Sequence, residues 1–98
     1  MFGTDGYYTL PGGLIVQWVT YRATMIDEPS VTLTYPIAFP NACLFALTCP
    51  YISAAGQYRD GYTQIVGAPG PASCLIQVQS DDDHDRRTDG INLLVIGR

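Results

Sequence analysis

Ten glycines and seven prolines break this 98-residue chain into short segments, and no segment sustains the i, i+3, i+4, i+7 spacing of an amphipathic helix. The segments are instead rich in Val, Ile, Leu and Tyr, side chains that suit a pleated, half-buried surface, and they are bounded by Gly, Pro, Asp and Asn. Strands are expected near 13–22, 30–36, 42–51, 61–67, 73–80 and 90–97. The fold class that follows is all-β: a small antiparallel β-sandwich of about six strands. The chain is short enough to hold a single domain, 1–98, with no second core.

Alternation along the strands assigns their faces. In the fifth strand Cys74, Ile76 and Val78 point inward, opposite Gln77 and Gln79. In the third, Cys43, Phe45, Leu47 and Cys49 share one face while Ala42, Leu44, Ala46 and Thr48 share the other. The third strand and the sixth, INLLVIGR, are therefore apolar on both faces. A two-layer sandwich buries one face of each strand, so the second face needs another surface to cover it. Charged residues make up only 14% of the chain, against about a quarter in an ordinary globular protein, which points the same way: to a homo-oligomer.

The same composition excludes several function classes. Net charge is −4, Lys is absent, and the five basic residues are Arg22, Arg59, Arg86, Arg87 and Arg98. No basic stripe exists to meet phosphates, so neither nucleic acid nor an anionic membrane surface is an expected partner. No apolar run is long enough to cross a bilayer, and no basic or long apolar leader segment opens the chain. The three cysteines, Cys43, Cys49 and Cys74, match no zinc spacing and are accompanied by one His, His84. They are expected to be reduced core thiols with no structural disulfide, and no cofactor is expected.

Polar residues that could carry function concentrate in two stretches. SDDDHDRRTDG (Ser80 to Gly90) holds five of the nine acidic residues, His84, and Arg86 with Arg87. Asp81, Asp83 and Asp85 alternate as in calcium loops, but the Gly and the distal Glu of an EF-hand are absent, so a solvated loop is the better reading and no metal is expected. GQYRDGY (Gly56 to Tyr62) supplies the groups that hold a sugar: Tyr58 as a platform, Arg59 and Asp60 as hydrogen-bond partners. The plainer alternative packs Tyr58 across a turn and pairs Arg59 with Asp60. Catalysis has little support: His84 has no Ser or Cys held on a sharp elbow nearby, and consecutive aspartates need not flank a bond. The chain is not expected to be an enzyme. Trp18 and Phe45, in strands, and Phe39, in a Pro-rich loop, read as core or interface aromatics.

Two phrases are informative together. LPGGLIVQW (Leu10 to Trp18) and YPIAFPNACL (Tyr35 to Leu44) each join a Gly- or Pro-rich turn to a strand, and INLLVIGR (Ile91 to Arg98) closes the chain. In wording and order they resemble the C-terminal tip domain of bacteriophage tail fibres, which often carry LPSGLIIQWG, then FPIAFPNAC, then a strand ending in Ile-Gly. The resemblance spans roughly residues 7 to 98. Val19 departs from it where a Gly usually follows the Trp, and aliphatics with Arg98 replace an aromatic-rich ending.

The resemblance implies a lectin-like sandwich assembled as a homotrimer, with residues 1–9 a linker from a shaft. It further implies a receptor-binding tip of a phage or phage-tail-like particle. Such a tip is carried on the virion tail fibre, assembled in the host cytoplasm, and attaches to a bacterial surface glycan or outer-membrane protein. A structural trimerisation cap and a free lectin-like carbohydrate-binding protein are the alternatives. If the strands run up and down, loops 36–41 and 67–72 lie at the end where the first strand begins. The charged loops 21–29, 51–60 and 80–90 then lie at the other end, which a shaft entering from the N-terminus would make the exposed tip. Tyr58, Arg59, Asp60, His84, Arg86 and Arg87 are the candidate ligand-binding residues there.

Overall fold

A computed structural model of the chain describes residues 5–26, 29–53, 61–80 and 88–98. Seven strands are present among them: β1 (Gly6–Thr9), β2 (Ile15–Met25), β3 (Ser30–Thr34), β4 (Cys43–Tyr51), β5 (Gly61–Val66), β6 (Ser73–Ser80) and β7 (Thr88–Gly97). They form two antiparallel sheets, one of four strands in the order β1-β2-β7-β4 and one of three in the order β3-β6-β5. The expected all-β sandwich is thus the architecture found, with one strand more than the sequence indicated.

The additional strand is β1. Residues 6–9, expected within a linker, pair with β2 from Gly6↔Trp18 to Thr9↔Ile15. The turn between them is set by Gly12 and Gly13, whose φ angles of 94° and 92° lie in the left-handed region that L side chains avoid. Leu10 and Leu14 close the turn, the Leu10 N–H donating to the Leu14 carbonyl at 2.7 Å.

Chain crossings between the sheets place the last strand in the middle of the larger one: β7 lies between β2 and β4. Its inward side chains Ile91, Leu93 and Val95 are buried beside Ile15 and Val19 of β2. Leu33, Cys74, Ile76 and Val78 of the smaller sheet complete that core, with Met25, Tyr35 and Phe39. The expected inward set of the β6 strand is borne out, and Val19 is one of the side chains that fills the interior.

Two face assignments need correction. A bulge between Cys43 and Phe45 shifts the β4 register, so Cys43 sits opposite Gly97 and packs on the core while Phe45 faces away from it. Phe45 is 53% exposed and Leu44 projects beside it. Cys49 is likewise exposed, not a core thiol, while Cys74 is buried and all three cysteines are free.

Candidate functional site

The three phrases singled out in the sequence meet at one end of the sandwich, and what joins them is structural. Gln17 of β2 is fully buried, and its side-chain amide pairs with one residue of the YPIAFP loop. The Ile37 N–H donates to Gln17 Oε1 at 2.9 Å, and Gln17 Nε2 donates to the Ile37 carbonyl at 2.9 Å. A partly buried loop backbone is thereby satisfied as a neighbouring strand would satisfy it. Two residues on, Phe39 is 3% exposed and its ring lies against Gly97, where any Cβ would collide with that ring and with the Ala42 carbonyl. Asn41 and Ala42 then donate their N–H groups to the Arg98 carbonyl at 2.7 and 2.8 Å. The Ile-Gly ending and the FPNA turn are therefore two halves of one contact.

Loop 67–72 is fastened to the same knot. The Tyr35 hydroxyl donates to the Gly70 carbonyl at 3.0 Å, and the Tyr35 and Phe39 N–H groups donate to the Ala72 and Pro71 carbonyls. The Tyr35 and Phe39 rings lie 5.5 Å apart. Burial raises the Tyr35 phenol well above its ordinary range, with the Cys74 and Cys43 thiols beside it adding to the effect. Burial also pushes the Cys74 thiol up. Neither group is primed as a nucleophile, because the charged form is the one burial disfavours.

The outer face of the four-stranded sheet is different in kind. Trp18, Leu94 and Leu47 stand opposite one another on β2, β7 and β4, and Phe45 lies opposite Ile96. Trp18 is half-buried, while Leu47 is 54% exposed. Trp18, Thr20, Leu47, Cys49, Asn92 and Leu94 line a groove of about 470 Å³ on this face. Asn92 Nδ2 donates to Cys49 Sγ at 3.7 Å, but the buried Asn92 Oδ1 accepts no hydrogen bond among the described residues.

The candidate ligand-binding residues Tyr58, Arg59, Asp60, His84, Arg86 and Arg87 lie outside the described residues. The aromatics Trp18, Phe39 and Phe45 are placed: Phe39 in the core, Trp18 and Phe45 on the outer face just described. The sequence did not single out Gln17 or Asn92. A lone amide at an inward position of an apolar strand was the available signal for the first.

The chain does not enter at the Pro-rich end, as the expected strand order implies, because β1 runs antiparallel to β2. Asp5 therefore sits beside Thr20, accepting its N–H at 2.8 Å, and the chain reaches β1 from the half of the sheet toward Met25. The N-terminal hairpin is what reverses the entry.

Residues 9–98 match the family described as putative tail fiber protein gp53-like, C-terminal. The chain belongs to that family. The tail fibre domain is also similar in structure to the N-truncated R1-type pyocin tail fiber, at 25% identity and a TM-score of 0.83, over 98% of this chain and 81% of that one. The P. aeruginosa R1 pyocin fiber segment of C-terminal residues 323–701 gives 25% identity and a TM-score of 0.84, over 98% of this chain and 26% of that one. The R2 pyocin fiber segment of residues 323–691 shares the fold at 24% identity and a TM-score of 0.77, over all of this chain and 25% of that one. The tail fibre domain thus spans about a quarter of the longer fibre segments. No curated protein matches the chain in sequence.

Proposed function

We propose that this tail fibre domain is the receptor-binding end of a phage or phage-tail-like fibre, assembled as a homotrimer and attaching to a bacterial surface glycan or outer-membrane protein. The observation that carries the reading is the contrast between the two sheets. The four-stranded sheet turns Trp18, Phe45, Leu47 and Leu94 outward. A fibre with threefold symmetry would cover that face with neighbouring copies, and the unpartnered Asn92 Oδ1 would take a donor from one of them. The surfaces left to meet a host are then the loops and the smaller sheet. The domain has no catalytic role in this reading.

Tyr58, Arg59, Asp60, His84, Arg86 and Arg87 remain the loop candidates for the receptor, by residue type. A structural cap, the second reading, needs no such cluster of Tyr, Arg and Asp. The test is adsorption of the labelled domain to a panel of bacterial strains. Saturable binding to some strains and not others is expected, and binding to none would leave the cap as the account of this domain.

A further inference from the structure

The outward face of the three-stranded sheet carries a chemistry that the solvent alone does not require. Its outward positions on β3, β5 and β6 are occupied by Ser, Thr, Gln, Tyr, Val and Leu, and none of the described ones is charged. Charged side chains are the ordinary occupants of a solvated strand face near an exposed edge. Here amides and hydroxyls take those places in cross-strand rows. Tyr62 stands opposite Gln79; Gln64 and Ser30 flank Gln77; Val66 and Thr32 flank Leu75.

From these rows we infer that this face binds a neutral glycan chain, an inference that rests on the receptor-binding reading and names where and what it would bind. A pyranose presents hydroxyls around its rim and C–H groups on its faces. Tyr62, 42% exposed, offers a ring for the C–H face, and Val66 with Leu75 offers an aliphatic patch two rows away. Between them lies an amide row whose central member is already ordered. Ser30 Oγ donates to Gln77 Oε1 at 2.6 Å, and Gln77 Nε2 donates to the Val78 carbonyl at 3.0 Å. An amide fixed before binding loses little rotamer freedom on binding.

Rows two residues apart are separated by about 7 Å along a strand, so the platform from Tyr62 to Val66 runs roughly 14 Å. That is room for more than one sugar ring. Its described outward residues include no Arg or Lys to balance a uronate or sialate carboxylate, which favours neutral sugars on this part of the face. The face lies on the flank of the sandwich, opposite the apolar sheet, and stays open if that sheet is covered by neighbouring copies.

The test uses the full chain on an array of neutral hexose, deoxyhexose and N-acetylhexosamine oligosaccharides beside uronate-bearing and sialylated ones. Binding to a neutral subset is expected. Tyr62→Ala and Gln64→Ala, both at exposed positions, should weaken it at least tenfold with the melting temperature unchanged. Binding retained by the Tyr62→Ala, Gln64→Ala double variant, binding restricted to acidic glycans, or no binding to the array would each overturn the inference. Adsorption to cells that persists in any of those cases keeps the receptor-binding reading and moves the site elsewhere; loss of both disposes of both.

Discussion

At the scale of single residues the fold depends on a few groups that cannot be exchanged for near relatives. Gln17→Leu keeps the volume but leaves the partly buried Ile37 N–H and carbonyl unpaired; a buried orphan costs about 1–3 kcal/mol and a partly buried one less, so a loss of about 2 kcal/mol is expected in urea unfolding. A loss under about 1 kcal/mol would mean that water replaces the clamp. Gly97→Ala forces a methyl into the Phe39 ring and the Ala42 carbonyl and should cost on the order of 2 kcal/mol. Tyr35 and Cys74 set the alkaline limit. Both hold their protons more tightly folded than unfolded, so their contribution is complete below the ordinary thiol value of 9.0 and is lost as pH rises above it. The urea midpoint should be flat through neutral pH and fall in alkali, with a shallower fall in Tyr35→Phe.

Among the elements, those with strong punctuation and clean alternation were legible in the sequence. β6 could be read because Cys74, Ile76 and Val78 alternate with Leu75, Gln77 and Gln79 between a Pro-rich turn and an acidic run. β7 could be read as two-sided, although its central place depends on pairings distant in sequence. β1 was not legible: GYYT is four residues long, with Tyr8 exposed at the sheet edge, and no alternation distinguishes it from a linker. The β4 bulge left no mark either, because one inserted residue reverses parity without changing composition. For the candidate ligand-binding residues the sequence supplies residue types alone, and those residues lie outside the described ones. Loops owe their geometry to the strands they join, and the hairpin that sets the chain's direction was the strand that was missed. A chain starting at residue 10 tests β1 directly. Losing this pairing along β2 should lower the melting temperature by roughly 8 °C, whereas removal of a true linker would change it hardly at all.

For the whole molecule, the proposed function divides labour between the two sheets: the four-stranded sheet's outer face would join copies, and the remainder of the surface would meet the host. Leu47 and Leu94 stand opposite each other at the centre of that face, so replacing both with Asp would bury charge at the proposed contact while leaving the inner core untouched. Because those side chains are partly exposed in the single chain, the substitution should spare the fold of each copy. Light scattering at micromolar concentration measures this most directly. The account predicts three times the 10.7 kDa chain mass for the natural sequence and a folded single chain for the Leu47→Asp, Leu94→Asp variant. A stable 10.7 kDa species for the natural sequence, or an unchanged trimer in the variant, would contradict it.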